Sequence, residues 1–182
     1  MSDLSCPACG APVRFQSRAS VFGVCAFCAQ MLVRTDLNVE AIGKMAQLPE
    51  DSSVIQIGTE GRFNNRRFTV IGRIRQEWVG GNWNEWYTVF DDGENGWLGE
   101  AQGFLMMSFE KKPDVALPDS NQLKACQRVK FFNHTYEVED IKDVTCVGAQ
   151  GELPFQAPKG RKSKSVDLTG DQDQFACLDY SS

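Results

Sequence analysis

From Val54 onward, the apolar residues fall in short runs that are separated by glycines and polar turn residues. Runs rich in β-branched and aromatic residues are typical of strands. In a first module, residues 54–115, the predicted strands are Val54–Gly58, Arg67–Arg75, Asn84–Phe90 and Gly96–Glu100. The polar segment Asp91–Asn95 predicts a hairpin turn, because its residues tolerate the backbone angles of a chain reversal.

A second group of short apolar runs forms a second module, residues 122–182. Its predicted strands are Val129–Phe132, Thr135–Ile141, Val144–Val147 and Gln174–Tyr180, with a turn at Gly151–Pro154. The run His134–Val138 echoes residues 68–73, and Gly151–Leu153 echoes residues 97–100, which predicts a degenerate repeat. Because no long helix separates the strands, the pattern predicts two small antiparallel units, each a barrel or a sandwich.

Residues 35–53 show a different periodicity. Apolar residues recur there at helical spacing, at Leu37, Ala41, Met45 and Leu48. Asp36 or Asn38 is a candidate N-cap, and Pro49 is a candidate stop. The pattern predicts a short connecting helix between an N-terminal segment, residues 1–34, and the first module.

The N-terminal segment contains two Cys-x-x-Cys pairs, which are Cys6 with Cys9 and Cys25 with Cys28. A two-residue gap lets both thiolates of a tight turn reach one ion, so two turns supply the four sulfurs that tetrahedral zinc prefers. Gly10 can take the left-handed conformation after the first pair, whereas Ala29 takes it only with strain. The spacing predicts a zinc ribbon with a structural Zn²⁺, and an iron centre held by four thiolates is the alternative.

Disulfides and a redox Cys-x-x-Cys are two other interpretations of these cysteines. The first residues show no basic region followed by an apolar one, so we expect a cytoplasmic protein with reduced thiols. A redox motif normally comes as one pair at a helix start in a βαβ setting. Both interpretations therefore fit the sequence less well than a metal site.

Composition limits the function classes. Hydrophobic residues make up 42% of the chain, which is enough for a packed core. The longest uncharged stretch, Ala19–Val33, is too short to cross a bilayer, so no membrane span is expected. The net charge of −5 disfavours broad nonspecific binding to nucleic acids, which needs a basic surface.

The tryptophan-rich segment is the candidate binding surface outside the ribbon. On a strand, Trp83 and Glu85 share one face, and Trp86 lies on the other. One face is expected to pack in the core, while the other presents aromatics to a partner together with Trp97. Alternatively, all four tryptophans fill the cores, and the bulk that small barrels need favours this interpretation. Glu85 and Glu100 are candidates for a carboxylate pair that performs acid–base chemistry or binds a cationic ligand such as a polyamine.

The remaining candidates are weaker. A basic loop with Lys159, Arg161, Lys162 and Lys164 offers contacts to phosphates, although a solvated loop is the simpler interpretation. His134 has no nucleophile beside it in the sequence. Cys126, Cys146 and Cys177 are predicted to be buried apolar thiols. No catalytic residue is assigned.

Several motifs together resemble a bacterial family known only as a domain of unknown function. They are Cys6–Val13, the Cys25 and Cys28 pair, Gln56–Thr59, Val70–Ile74, Trp83–Tyr87, Gly96–Glu100 and Gly151–Pro154. The resemblance implies a zinc ribbon joined to a repeated small β module. It also implies an association with genes for polyamine synthesis and for membrane stress or remodelling, but no reaction.

The sequence therefore predicts a cytoplasmic, non-enzymatic adaptor in which a structural zinc ribbon carries β modules that recognise another protein. A membrane-stress or polyamine-linked system is the expected setting. The first alternative is a zinc-ribbon protein that binds nucleic acid through the ribbon and the basic loop. The second alternative is a barrel that binds a cationic ligand or catalyses a reaction through Glu85 and Glu100. The partner and the oligomeric state do not follow from the sequence.

Overall fold

A computed structural model describes residues 4–35, 38–48, 52–171 and 174–181. These residues form an almost all-β protein, as predicted, and the sheets are antiparallel and open rather than closed into a barrel. The strands are β1 Leu4–Ser5, β2 Pro12–Val13, β3 Phe22–Val24, β4 Gln30–Arg34, β5 Val39–Lys44, β6 Glu60–Phe63, β7 Arg66–Trp78, β8 Gly81–Phe90, β9 Asn95–Ala101, β10 Phe104–Ser108, β11 Arg128–Phe131, β12 His134–Leu153, β13 Lys162–Gly170 and β14 Phe175–Ser181. Within the described ranges, no helix has the length and apolar character needed to cross a membrane.

The chain divides into two compact units, each made of two segments. The first unit comprises Met1–Phe109 and Cys146–Gly160, and the second comprises Glu110–Thr145 and Arg161–Ser182. Strand β12 contributes its first part to the second unit and its last part to the first. The predicted boundaries of the ribbon and of the two modules stay predictions.

In the first unit, the strand order is β10-β9-β8-β7-β12-β3-β4-β5, with β6 paired to β7 and a separate β1-β2 pair. Alternation along β7 and β8 sends apolar side chains to both faces of the sheet. One face carries a cluster around Ile74, Tyr87 and Leu153. The opposite face carries a cluster around Phe68, Val70 and Trp86. Both faces of this sheet are therefore buried.

The second unit has the strand order β11-β12-β13-β14. One of its faces carries a cluster that contains Tyr136, Val138, Val166 and Leu168. The opposite face carries Lys142, whose ammonium contacts Asp140 at 2.7 Å and Asp167 at 2.6 Å. The sheet of the second unit therefore has one apolar face and one face with ion pairs.

The predicted degenerate repeat is present in the backbone. In the first unit, Gly58 N–H donates to Val70 O and Val70 N–H donates to Thr59 O, both at 2.8 Å. In the second unit, Cys126 N–H donates to Val138 O at 2.8 Å, and Val138 N–H donates to the carbonyl of residue 127 at 2.9 Å. Strands β6–β9 therefore correspond to β11–β14.

The registers of the two modules also agree. Each long strand has a bulge at the same place, between Val70 and Gly72 in β7 and between Val138 and Asp140 in β12. The preceding hairpins turn through two residues with positive φ, which are Asn64–Asn65 and Phe132–Asn133. Residues 134–138 match residues 66–70, two residues before the predicted match to residues 68–73. The predicted echo at Gly151–Leu153 was wrong, because these residues lie in the last part of β12, outside the strands that the repeat matches.

Three local predictions were wrong. The predicted connecting helix contains strand β5, because Val39–Lys44 pairs with the open edge of β4, and Gly43 with φ of 130° departs from helical geometry. Leu37, Asp36 and Pro49 lie outside the described residues. Val54–Gly58 is an irregular loop, and the predicted turn at Gly151–Pro154 is the end of a strand. Strands β1, β4, β6, β10 and β13 had not been predicted.

Candidate metal centre

The two cysteine pairs meet as their spacing predicted. The four Sγ atoms of Cys6, Cys9, Cys25 and Cys28 lie within 4.8 Å of one another. Cys6 Sγ is 3.7 Å from Cys28 Sγ, and Cys9 Sγ is 3.8 Å from Cys25 Sγ. A disulfide has sulfurs about 2.05 Å apart, so these are free thiols. The cluster is compatible with binding one metal ion.

The same backbone turn presents each pair. Gly10 N–H donates to Cys6 O at 2.8 Å, and Ala29 N–H donates to Cys25 O at 2.9 Å. Both closing residues are left-handed, with φ of 73° at Gly10 and 56° at Ala29. The predicted strain at Ala29 is therefore present, because the left-handed region costs a residue with a Cβ atom about 1–2 kcal/mol.

The thiols of the first pair differ in acidity. Burial raises the pKa of Cys6, but hydrogen bonds from the backbone of Ala8 and Cys9 and from neighbouring thiols outweigh burial and lower the pKa to about 7. For Cys9, a backbone hydrogen bond from Ala11 lowers the pKa, but the Cys28 thiol, burial and two further thiols outweigh it and raise the pKa to about 12. A metal that binds the four sulfurs must therefore displace protons.

A small apolar cluster surrounds the thiols. Cys6 and Cys25 are buried together with Leu32 and Val39, and Phe15 packs against them. Cys9 is exposed. Because two of the four buried members are cysteines, this segment has little apolar surface of its own.

Glu152 is a buried residue of this region that sequence reasoning missed. Its carboxylate accepts hydrogen bonds from Gln16 N–H at 2.8 and 2.9 Å and from Ser17 N–H at 3.3 Å. Burial raises its pKa, although these hydrogen bonds oppose the shift. The carboxylate thereby connects the loop between the two cysteine pairs to β12. The motif Gly151–Pro154, which contains Glu152, was the sequence feature that could have identified this residue.

The tryptophan-rich residues occupy both faces of the sheet. Trp86 is 1% exposed and belongs to the core. Trp83 is half-buried, and its indole Nε1–H donates to Glu85 Oε1 at 2.8 Å. Trp97 is half-buried and packs against Tyr87 with ring centroids 4.8 Å apart. The aromatic residues therefore act mainly as core, which is the alternative that the sequence left open.

The predicted carboxylate pair does not form. In the register of β8 and β9, Glu85 lies opposite Gly99, whereas Glu100 lies opposite Asn84, so the two carboxylates lie on opposite faces. Glu100 instead accepts hydrogen bonds from Ser53 Oγ, Asn84 Nδ2 and Trp86 Nε1. The prediction of a barrel site that uses both glutamates is therefore wrong.

A buried arginine completes the surroundings of Glu100. The Arg73 guanidinium donates to Asn84 Oδ1 at 2.8 and 3.1 Å and lies 4.8 Å from the centre of the Trp86 ring. Arg73 and Asn84 are 7% and 8% exposed. This network satisfies polar groups within the sheet, and it presents no free carboxylate to a ligand.

The predicted basic loop is only partly a loop. Lys159 and Arg161 lie outside the strands, whereas Lys162 and Lys164 belong to β13. Lys164 Nζ is 2.7 Å from Asp143 Oδ1. The strand forms because Val166 and Leu168, further along it, are buried against β12 and β14, which the charged residues at its start obscured.

The remaining candidates show no shared site. His134 begins β12, and its ring contacts Tyr136 with centroids 6.5 Å apart. Cys146 is buried, as predicted, and its thiol donates to Ala157 O at 3.6 Å. Cys126 and Cys177 are exposed, so the prediction that they are buried thiols was wrong.

The fold and the thiol cluster define a class of protein: an almost all-β chain with two related antiparallel modules and a four-cysteine site at its amino end. The chain belongs to the family described as a domain of unknown function, DUF4178, whose model matches residues 56–181. The resemblance to a family of that kind is thereby confirmed, while the association with polyamine and membrane-stress genes stays a prediction. No curated protein and no solved structure matches the chain significantly.

Proposed function

We propose that Cys6, Cys9, Cys25 and Cys28 hold a structural Zn²⁺. Zinc–thiolate bonds of about 2.3 Å in a tetrahedron place the sulfurs about 3.8 Å apart. The Sγ separations of 3.7 and 3.8 Å match that value. Four protein ligands leave no coordination position for water or substrate, so the ion would stabilise the fold rather than act in catalysis.

Elemental analysis of natively purified protein tests this assignment. We expect about one zinc per chain in the wild type, and loss of zinc in Cys25→Ser. Cys177→Ser is the matched control, because Cys177 is an exposed cysteine outside the cluster. If the purified protein instead contains iron and shows a thiolate-to-iron absorption band, the site holds iron, which is the alternative metal. Protein without any metal, in which all four thiols react with an alkylating agent, would contradict both.

We propose further that the protein is a cytoplasmic adaptor that recognises another protein, and that the second cysteine turn provides an anchor. The observation that carries this proposal is Phe27, which lies between Cys25 and Cys28 and is 74% exposed. A metal-bound turn fixes its backbone, and a rigid exposed aromatic residue loses little entropy on binding. The family resemblance points to membrane-stress or polyamine-linked systems as the source of the partner.

Nucleic-acid binding is the competing function. It depends on the basic residues near β13, but Lys164 is paired with Asp143 and the chain carries a net charge of −5. An electrostatic interface of that kind loses affinity steeply as salt increases. The two functions therefore differ in their salt dependence.

Capture from a cell lysate with the intact protein tests the adaptor. We expect the same protein partner with the wild type and with Val79→Ser, and loss of that partner with Phe27→Ser. Val79 is a suitable control, because it is also apolar and is fully exposed at 104%. Zinc content should stay the same in all three proteins. Failure to recover a reproducible protein, together with tight and salt-sensitive binding of RNA or DNA, would favour the competing function.

A further inference from the structure

Strand β10 is an exposed apolar edge of the sheet in the first unit. Phe104, Leu105 and Met106 are 78%, 57% and 50% exposed. In the part of the chain that the structure describes, β9 is the one strand that pairs with β10. No residue of Phe104–Ser108 is charged. An uncharged apolar edge of this kind is a template for the addition of another strand.

The other edge strands of three or more residues in the described ranges differ from β10. Each carries at least one charged residue, which discourages pairing with another chain. These residues are Glu40 and Lys44 in β5, Glu60 and Arg62 in β6, Arg128 and Lys130 in β11, and Asp179 in β14. Within the described residues, the second module has no strand that corresponds to β10. Among the described strands, the uncharged edge is therefore found in the first module.

The hairpin geometry shows which backbone groups of β10 are available. Strands β9 and β10 are joined by the two-residue turn Gln102–Gly103, with φ of 51° and 83°. The residues that flank such a turn form a hydrogen-bonded pair, and the pairs alternate along the ladder. Leu105 and Met107 therefore direct their backbone N–H and C=O groups away from β9.

We propose that the occupant of this edge is a second copy of the chain, which adds its own β10 in antiparallel orientation about a twofold axis at Met106. Leu105 of one copy then lies opposite Met107 of the second, and these two residues are the ones with outward backbone groups. Phe104 lies opposite Ser108, and Met106 lies opposite Met106. The register is self-complementary, as a twofold interface requires, and it brings no like charges together.

The side chains of both faces fit this pairing. Leu105 and Met107 lie on the face of the sheet that carries Leu98 and Trp86, and Met107 already packs against that cluster. Phe104 and Met106 lie on the opposite face and are the more exposed pair. Because a single strand edge is smaller than the interface of a permanent dimer, we expect a reversible dimer that is substantially populated at about 100 µM.

Charge substitution at the twofold axis tests the proposal. In Met106→Lys and in Met106→Glu, two like charges would lie opposite each other across the axis, so each variant alone should be a monomer. A mixture of the two variants should dimerise again, because the opposed charges then attract. Val79→Lys adds the same charge at an exposed apolar residue in another turn and should leave the dimer intact.

Sedimentation equilibrium supplies the mass, and circular dichroism checks that each variant is folded. For the wild type and Val79→Lys at about 100 µM, the expected average mass lies between the 20.3 kDa of one chain and twice that value, and it rises with protein concentration. Each Met106 variant should raise the dissociation constant at least about tenfold, and the mixture should reverse most of that loss. A monomeric wild type would overturn the proposal. A dimer that both Met106 variants leave unchanged would also overturn it, because the interface would then lie elsewhere.

This proposal is independent of the zinc site and of the adaptor function. A monomeric wild type would contradict the dimer, but it would leave the expected zinc content and the expected captured partner unchanged. The protein could instead stay monomeric and bind a solubilised apolar β-strand peptide from another protein at this edge. That outcome would assign the edge to a different occupant and would likewise contradict the dimer.

Discussion

The two repeated modules share a backbone but differ in what covers their faces. In the first module, Arg73 pairs with Trp86, and the next residue, Ile74, is fully buried on the other face. In the second module, the equivalent pair is Ile141 with Val166, and the next residue is Lys142. The first sheet is thus packed on both faces, while the second carries ion pairs on one of them.

This difference shows which features the repeat requires. The bulge, the two-residue turn and the left-handed residue before the first strand recur at equivalent positions. Side-chain volume does not recur, since the bulky Trp86 stands where the second module has Val166. Burial of both faces explains why all four tryptophans lie in β7–β9, where more apolar volume is needed.

The largest effect is expected from giving the first module the core residue of the second. Trp86→Val should reduce the free energy of unfolding by about 3–5 kcal/mol, because it leaves a cavity and removes the hydrogen bond to Glu100. Val166→Ala in the second module should cost only about 2 kcal/mol. Denaturant unfolding, followed by amide hydrogen exchange within each module, measures both values. Equal costs would show that the sheet collapses around the missing indole.

A second experiment exchanges the left-handed residues. Gly58 has φ of 91° with open space around it, whereas Cys126 has φ of 63° and carries a Cβ atom. Gly58→Ala should therefore destabilise the first module by about 1–2 kcal/mol, and Cys126→Gly should stabilise the second by up to about 1 kcal/mol. Chemical denaturation of both variants provides the comparison. Changes of the same sign would mean that side-chain contacts, rather than backbone strain, decide these positions.

A smaller effect is expected at the hairpin turns. Phe132 has φ of 51° in the second module, and its equivalent in the first is Asn64 with φ of 49°. Asparagine tolerates this conformation better than phenylalanine. Phe132→Asn should increase the free energy of unfolding of the second module by about 0.5–1 kcal/mol. The control Asn64→Phe should decrease the free energy of unfolding of the first module by a similar amount. Loss of stability in Phe132→Asn would show that the ring contact with Lys111 matters more.

The smallest effect concerns the ion pairs of Lys142, which lie on one face of the sheet in the second module. The hydrogen bond from Lys142 lowers the pKa of Asp140 from its ordinary value of 3.8. Stability from this contact is therefore present above about pH 4 and is lost as the pH falls through the lowered pKa of folded Asp140. Lys142→Met removes the cation and should reduce the free energy of unfolding by up to about 0.5–1 kcal/mol at pH 6. The effect is small because the two carboxylates are half exposed.

Urea denaturation of the wild type and Lys142→Met between pH 2 and 7 measures this difference, with the charge-preserving Lys142→Arg as the control. The difference between wild type and Lys142→Met should shrink as the pH falls below the ordinary aspartate range. A difference that stays constant with pH would assign the effect to packing of the lysine stem instead of charge.

Much of the fold followed from local patterns, and the failures have a common cause. The runs that became β7, β8 and β9 carry enough β-branched and aromatic residues to be recognised alone. Strand β5 was mistaken for a helix, because its pairing with β4 outweighed a weak helical spacing. Strand β13 was hidden by its charged residues, of which Lys164 pairs with Asp143 of β12 and Asp167 pairs with Lys142 of β12. Strand pairing is nonlocal, so spacing along the chain does not reveal it.

The candidate site divides in the same way. Two short turns fix where four thiols point, so the Cys-x-x-Cys spacing alone determined the thiol cluster and the left-handed residue that closes each turn. The roles of Glu100, Glu152 and Trp86 were decided by the tertiary structure, because the faces of a strand are equivalent until a neighbouring sheet, loop or cluster covers one of them. Sequence therefore determined the chemistry that lies within a turn, and the register between distant strands decided which polar groups are buried and which apolar edge is exposed.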